Sequence, residues 1–266
     1  MKSPLTVTIV CSNSPTQPLF FPTSSPTLTA FKTRNVHIHT ADNETLGAWF
    51  TFADPFYVAH KADLHRPSSP SSSPDEFIRS ALRAHPTVLF LHGNGDTRAL
   101  PSRVRHYQAF AARLRANVFA PDYRGFGDST GTPSEAGLTL DARAAWDWLR
   151  SCGASPDSVL VVGNSLGTGV AVQLVSALEG DQLGGDEQQR GRESGRERPR
   201  GVVLLAPFSN VATLLDTYYI AGVVPLLAPL RTFPSMASES EFPEPFNGRR
   251  IRKGKWLNDY RIRQSS

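Results

Sequence analysis

The sequence predicts an α/β protein in which a mostly parallel sheet carries helices on both faces. Three apolar runs, Thr87–Leu91, Val159–Val162 and Gly201–Ala206, have the continuous hydrophobicity of strands that are buried on both sides. Stretches of helical length separate them, and this alternation favours parallel strands joined by right-handed crossovers. In such sheets ligands gather at the carboxyl ends of the strands.

The 266 residues suffice for one large domain, which we place at residues 30–234. Residues 1–29 form a Pro/Ser/Thr-rich lead that we expect to be disordered, and residues 180–200 form a charged insertion. Residues 235–266 form a basic tail, also expected to be disordered. A basic run can bind nucleic acid through salt-sensitive contacts, but it is more often a solvated tail, so we expect no nucleic-acid partner.

The first half of the domain supplies a hairpin, a short helix and the first buried strand. Asn35–His39 and Thr45–Phe52 alternate between apolar and polar residues around a turn at Asp42–Glu44. Glu76–Ala84 could form one or two helical turns. We do not predict a metal site at His37 and His39, because no acidic or cysteine partner stands at ligand spacing.

A helix follows the strand at Thr87–Leu91, and another strand and helix follow that one. The first helix has an apolar stripe, with its arginines expected on the outer face. The stripe comprises Val104, Tyr107, Phe110, Ala111 and Leu114, and the outer face comprises Arg103, Arg105, Arg113 and Arg115. The next strand is Asn117–Tyr123, and a helix runs from about Ser134 to Ser151.

Two glycine-bearing turns follow buried strands directly. His92–Asp96 follows the strand at Thr87–Leu91, and Arg124–Ser129 follows the strand at Asn117–Tyr123. Such a turn can aim backbone N–H groups at an anion. It can equally be a plain strand-to-helix connection in which glycine serves conformation only.

The pattern Gly163-Asn-Ser165-Leu-Gly167 stands between a predicted strand and a predicted helix. A turn that joins the two so sharply holds its central residue in strained geometry with the side chain exposed. A Cβ at Gly163 or Gly167 would collide with the neighbouring strand or helix. An N-capping serine would explain Ser165 but neither glycine. The pattern therefore predicts that Ser165 is a nucleophile.

Residues 211–231 are apolar but are interrupted by Pro225 and Pro229. They form either a lid over the site or a core helix followed by a loop. No run of about eighteen apolar residues is present, and the N-terminus lacks the pattern of a signal peptide. We therefore expect a cytoplasmic or membrane-associated protein, and peripheral contact with a membrane is compatible with the sequence.

The turns and the strand ends together resemble the α/β-hydrolase superfamily, and within it the monoacylglycerol and lysophosphatidylserine lipase group. The resemblance lies in four motifs: His92-Gly-Asn-Gly-Asp-Thr-Arg98, Asp122-Tyr-Arg-Gly-Phe-Gly-Asp-Ser129, Gly163-Asn-Ser-Leu-Gly-Thr-Gly-Val170 and Leu205-Ala-Pro-Phe-Ser-Asn210. It implies a partial α/β-hydrolase fold and a serine carboxylic-ester hydrolase that acts on acylglycerol or lysophospholipid esters. Neither a cofactor nor a metal is implied.

By this resemblance Ser165 attacks an ester carbonyl, and the backbone N–H groups of Asn94 and Leu166 hold the resulting oxyanion. Gly93 belongs to the same substrate-binding turn. The family orders its catalytic residues as serine, then Asp or Glu, then histidine. All seven histidines of this sequence precede Ser165, and Asp216 and Asp259 have no histidine after them.

Because no histidine follows Ser165, we expect the chain as written to be inactive or impaired, and we interpret it as a C-terminally shortened hydrolase. His92 is expected to brace the oxyanion turn rather than to act as the base. The alternative is a non-catalytic relative that binds an acyl ligand or a protein partner. Labelling of Ser165 by a fluorophosphonate would distinguish the two, since it requires an activated hydroxyl.

Overall fold

The computed structural model describes residues 5–10, 32–65, 74–183, 198–207, 219–220, 224–225 and 260–264. Its ten strands are β1 Leu5–Val10, β2 Thr33–His39, β3 Thr45–Thr51, β4 Thr87–Leu91, β5 Asn117–Pro121, β6 Val159–Asn164, β7 Gly201–Leu205, β8 Tyr219–Ile220, β9 Val224–Pro225 and β10 Tyr260–Gln264. Its five α-helices are α1 Asp54–Leu64, α2 Pro74–Ala84, α3 Pro101–Arg113, α4 Glu135–Ser151 and α5 Leu166–Leu183.

Eight of the described strands form one sheet in the order β10-β1-β7-β6-β4-β5-β3-β2. All neighbours are parallel except β3, which runs antiparallel to both β5 and β2. In the register, Leu91 lies opposite Gly163 and Asn164 lies opposite Leu205. The carboxyl ends of β4, β6 and β7 therefore lie side by side along one edge.

Helices cover both faces of this sheet because adjacent residues of a strand point to opposite sides. Leu89 belongs to the same buried cluster as Trp146 of α4, whereas the neighbouring Phe90 packs 5.3 Å from the ring of Tyr107 on α3. All five residues of β4 are buried, and so are all five of β5. The predicted fold class, a mostly parallel sheet with helices on both faces, is confirmed.

Two strands lie on the far side of β7, within chain ends whose expected disorder stays a prediction. β1 lies inside the lead expected to be disordered, and β10 lies inside the basic tail. β1 pairs in parallel with β7 and with β10. Its sequence, Leu-Thr-Val-Thr-Ile-Val, is rich in β-branched residues, which favour strands. Pairing with β1 supplies partners for backbone groups that an edge strand would leave open.

The predicted hairpin is present as β2 and β3, with Asn43 in the turn at a φ of +66°. Helix α1 was not predicted. Its signals are the acidic Asp54 in the first turn and a proline at the first positions, a combination typical of helix starts. Helix α4 begins as expected, because the Ser134 hydroxyl accepts a hydrogen bond from the N–H of Gly137.

Arg103 of α3 and Leu114, the residue directly after that helix, contradict the predicted faces. Arg103 was expected outside with the other arginines, but it is only 5 % exposed, since its guanidinium is bonded to backbone carbonyls of a neighbouring turn. Leu114 was expected in the apolar stripe but is 53 % exposed, because the helix ends at Arg113.

Several predicted features lie outside the described residues. They include residues 184–197 of the charged insertion and most of residues 211–231, of which the structure describes only the antiparallel pair β8 and β9. Asp216 and Asp259 also lie outside the described ranges.

Candidate functional site

Three turns meet at the carboxyl edge of the central strands. One follows β4, one follows β5 and one joins β6 to α5. Their proximity follows from the parallel register, which aligns the ends of adjacent strands.

Ser165 occupies the turn between β6 and α5 with a φ of +49°, in the left-handed region that residues other than glycine rarely adopt. Its N–H donates to the carbonyl of Leu205, 2.9 Å away, and its own carbonyl accepts the N–H of Thr168 at 2.8 Å. The Thr168 hydroxyl donates to the same carbonyl at 2.6 Å. These bonds hold a strained residue in place, and the serine stays partly exposed.

The two glycines that flank Ser165 permit a very close approach of backbone segments. A Cβ on Gly167 would lie 2.0 Å from the carbonyl oxygen of Leu91, and one on Gly163 would lie 2.3 Å from the carbonyl oxygen of Gly167. Both distances are far below van der Waals contact. The requirement for glycine at these positions, predicted from the sequence, is confirmed, and it brings the end of β4 directly against the first turn of α5.

The turn after β4 lies against Ser165 at Gly93. A Cβ built on Gly93 would stand 3.3 Å from the Cβ of Ser165 and 3.2 Å from the side-chain oxygen of Asn164. Asn94, the next residue, is exposed. Among the hydrogen bonds that join described residues, none has the backbone N–H of Asn94 or of Leu166 as its donor. Within the described residues, neither N–H group is therefore committed to another protein atom.

His92 is buried beneath this turn, with 1 % of its surface exposed. Its Nδ1 lies 2.8 Å from the carbonyl oxygen of Gly93 and donates to it, because a carbonyl can only accept. Its Nε2 lies 3.3 Å from Asp122 Oδ1, without the geometry of a hydrogen bond. The imidazole therefore supports the turn from inside, as expected for a brace.

The residues after β5 form hydrogen bonds that hold the end of the turn after β4 in place. Asp122 is fully buried; it accepts a 2.6 Å bond from Nη1 of Arg98 and also the backbone N–H of Arg98. Arg98 reaches on to Asp128 at 2.7 Å, and this hydrogen bond lowers the pKa of Asp128 to about 2. The Tyr123 hydroxyl donates to the carbonyl of His92 at 2.9 Å, and burial raises the pKa of Tyr123 well above its usual value.

A second arginine ties the turn after β5 to the hairpin and to α4. Arg124 donates to Asp42 at 2.7 and 3.0 Å and, through Nε, to the buried Asp141 at 2.9 Å. The hydrogen bond from Arg124 lowers the pKa of Asp42 far below its ordinary value. Burial acts in the opposite direction on Asp141 and raises its pKa.

Four of the other histidines have hydrogen-bond or ion-pair partners away from Ser165. His37 faces Asp128, His39 bonds Thr45, His60 bonds the carbonyl of Phe56, and His65 bonds Tyr57. No hydrogen bond or ion pair within the described part of the chain joins an imidazole to Ser165. In that same part, no group of three or more His, Cys, Asp or Glu side chains is arranged to hold a metal ion.

The structure thus brings Ser165 next to Gly93, with Asn94 and Leu166 adjoining them in the chain. Sequence reasoning missed the supports of this site, namely Arg103, Tyr123 and the pairing of Arg98 with Asp122. Asp122 and Arg98 stand in the quoted motifs, but a motif does not reveal which residues of different turns meet. For Arg103 the helical periodicity pointed to the wrong face.

These turns and the sheet that aligns them define an α/β hydrolase, and residues 88–264 match the model of the alpha/beta hydrolase family. The chain belongs to that family. It is 34 % identical over 182 residues to the lysophosphatidylserine lipase ABHD12 of Rattus norvegicus, a match that covers 67 % of this chain and 39 % of the relative. It is 34 % identical over 160 residues to protein ABHD12B of Homo sapiens, covering 59 % of this chain and 38 % of the relative.

The matches thus span about two fifths of the length of these relatives. Among solved structures, a hypothetical protein from Pseudomonas aeruginosa has a TM-score of 0.47 at 18 % identity and covers 80 % of this chain and 54 % of its own. An alpha-beta hydrolase from Vibrio vulnificus has a TM-score of 0.46 at 20 % identity, with 76 % and 55 % covered. No helix of the described residues is long and apolar enough to cross a membrane.

Proposed function

We propose that Ser165 is the nucleophile of a serine carboxylic-ester hydrolase and that the N–H groups of Asn94 and Leu166 form its oxyanion hole. One observation carries this proposal: Ser165 has a left-handed backbone conformation and packs against Gly93 of the turn after β4. The chain also belongs to the alpha/beta hydrolase family. A left-handed serine at the end of a central strand lowers the stability of the fold, and such strain is typical of functional sites. The two free N–H groups beside it support a functional role as well.

In the proposed reaction the Ser165 oxygen attacks the ester carbonyl carbon, and the carbonyl oxygen becomes negatively charged. Two fixed N–H donors stabilise that charge, each by about 3–4 kcal/mol. When the tetrahedral intermediate collapses, the bond to the alcohol oxygen breaks, the proton lost from the Ser165 hydroxyl goes to that oxygen, and the acyl group stays on Ser165 as an ester. Water then attacks the acyl group and releases the acid, so that Ser165 regains its hydrogen.

We propose acylglycerol or lysophospholipid esters as the substrates. The support is the similarity to the lysophosphatidylserine lipase ABHD12, whose printed name describes that relative rather than this chain. A second support is the match of residues 88–264 to the alpha/beta hydrolase family.

The proton of Ser165 needs an acceptor, and none of the described contacts supplies one. All seven histidines precede Ser165, and His92 is committed to the Gly93 carbonyl. A site with a nucleophile and an oxyanion hole but no base loses on the order of a million-fold in turnover. We therefore propose that these 266 residues alone hydrolyse esters slowly.

A second candidate, a non-catalytic module that binds an acyl ligand, is favoured because no hydrogen bond or ion pair of the described residues joins an imidazole to Ser165. In that case the two free N–H groups hold a carboxylate instead of an oxyanion. Acyl binding without any acyl-enzyme would identify this alternative, and slow turnover through an adduct on Ser165 would exclude it.

The test is reaction with a fluorophosphonate, followed by intact mass and peptide mapping. Because no described contact gives Ser165 a base, we expect the adduct to form slowly, on Ser165 alone, and to be absent from the Ser165→Ala variant after the same long incubation. The matched control is Ser155→Ala, an exposed serine that precedes β6 at the opposite end of that strand. An adduct on another residue, or none above the level of Ser165→Ala, would contradict the proposed nucleophile. Comparison of monoacylglycerol, lysophosphatidylserine and a short-chain ester then tests the substrate class.

A further inference from the structure

Arg103 is a buried arginine whose side chain, among the described residues, donates to carbonyls of the turn that contains Asn94 and to that of Thr97 just after it. Its Nη2 donates to the carbonyls of Gly93 and Gly95 at 2.8 and 2.6 Å and approaches that of Asn94 at 3.3 Å. Its Nη1 donates to the carbonyl of Thr97 at 2.7 Å. We propose that Arg103 is a positioning residue, which fixes this turn so that the Asn94 N–H faces the oxyanion. The inference rests on the proposed function of Ser165.

The placement of Arg103 is unfavourable for stability. The side chain is 5 % exposed, and no carboxylate pairs with it in the part of the chain that the structure describes. It also stands in the first turn of α3, where the helix dipole repels a cation, and that turn contains no acidic residue. A buried charge is tolerated only when hydrogen bonds replace its lost hydration. Here the turn carbonyls provide those bonds.

The direction of the carbonyls determines the direction of the N–H groups. In a trans peptide the C=O of one residue and the N–H of the next point in opposite directions, and the described chain contains no cis peptide. The Gly93 carbonyl is held between Arg103 Nη2 and His92 Nδ1, both at 2.8 Å. The Asn94 N–H therefore points away from both side chains.

Beyond Arg103, the described support of the turn comes from His92, which bonds the Gly93 carbonyl, and from Tyr123, which bonds the His92 carbonyl. Asn94, Gly95 and Asp96 are all exposed, and a Cβ on Gly95 would meet no atom within 4 Å. Arg98 anchors the end of the turn through carboxylates, since its guanidinium bonds Asp122 and Asp128. Arg103 is thus the described side chain that bonds successive carbonyls of the turn itself. Loss of the Arg103 side chain should leave the contacts of Arg98 with Asp122 and Asp128 in place. It should make the orientation of the Asn94 N–H less fixed.

The test compares Arg103→Met and Arg103→Lys with the control Arg105→Met, which removes the same charge from an exposed position of the same helix. Fluorophosphonate kinetics on the 266-residue chain separate the saturation constant from the maximal rate of Ser165 phosphonylation. We expect Arg103→Met to lower the maximal rate about 100-fold, as for loss of one oxyanion donor. Arg103→Lys, which donates from one point rather than a planar fork, should lower it about 10-fold.

In both variants the saturation constant should stay within about twofold, because a binding contact is not removed. Arg105→Met should match the wild type. Amide hydrogen exchange gives an independent readout, and we expect faster exchange for the turn amides in both Arg103 variants. If Arg103→Met does not fold, Arg103→Lys carries the test.

An unchanged maximal rate in a folded Arg103 variant would overturn the positioning role while the proposed nucleophile stands. A fall in rate caused only by a weaker saturation constant would overturn it as well. A wild-type chain that forms no adduct on Ser165 would overturn the proposed function, and this inference with it.

Discussion

The N–H of Ser165 donates to the carbonyl oxygen of Leu205 across 2.9 Å, so the strained turn after β6 is fastened to the end of β7. The serine carbonyl is fastened in turn to Thr168 on α5. The hydrogen bonds of its N–H and of its carbonyl thus together hold Ser165 at a φ of +49°. The close approach of β4 completes the arrangement, and it depends on glycine.

Replacing Gly167 with alanine should destabilise the protein by about 3 kcal/mol, because the new Cβ would lie 2.0 Å from a backbone oxygen that has no room to move. The matched control is Gly180→Ala in the same helix, where no atom lies within 4 Å of the added Cβ. We expect that change to stabilise by about 1 kcal/mol. Urea unfolding followed by tryptophan fluorescence measures both, and equal effects would contradict the close approach.

Replacing Asp122 with asparagine should cost about 3 kcal/mol, because it removes the charge that partners a buried arginine. Asp122 is fully buried and bonds Arg98 through its backbone and its guanidinium. Asp128→Asn serves as the comparison, since that side chain is 42 % exposed and should contribute less than about 1 kcal/mol. Chemical unfolding at neutral pH should rank the variants in this order, and the reverse order would refute the anchoring role of Asp122.

Acid should weaken the contact between Arg98 and Asp128 in a defined pH window. The folded pKa of Asp128 is about 2, below the ordinary 3.8, because Arg98 hydrogen bonds the ionised carboxylate. The contact therefore stabilises the fold fully above about pH 4 and is lost as the pH falls towards 2. The raised pKa of the buried Asp141 acts with the opposite sign.

The difference in unfolding free energy between the wild type and Asp128→Asn should accordingly shrink as the pH is lowered from 5 to about 2. Urea midpoints at successive pH values measure it. A difference that stays constant over this window would show that the carboxylate of Asp128 is not held by Arg98.

The sequence predicted most of the fold because the strands that carry it are extreme in composition. β4 and β7 lie within continuous apolar runs and were assigned correctly, whereas β1 and β10 lie in segments whose overall composition suggested disorder. Helix α1 was missed because its apolar residues do not form a clear stripe, and only Phe56 and Leu64 are buried.

The site was predictable where one short segment determines it and unpredictable where distant segments meet. The need for glycine beside Ser165 follows from the local turn. The supports of the Asn94 turn do not, because they come from two other places in the chain, Arg103 on α3 and the adjacent residues Asp122 and Tyr123 after β5. Periodicity assigned Arg103 to solvent, since a helical pattern cannot show that a neighbouring turn offers carbonyls to a buried cation.

The most direct test of the account is a crystal structure of the chain after reaction with a fluorophosphonate. We predict phosphorus bonded to Oγ of Ser165, with one phosphonyl oxygen about 2.7–3.1 Å from the backbone nitrogens of both Asn94 and Leu166. An adduct whose phosphonyl oxygen points to solvent, with neither nitrogen within hydrogen-bond distance, would contradict the central claim that these two turns form one oxyanion site.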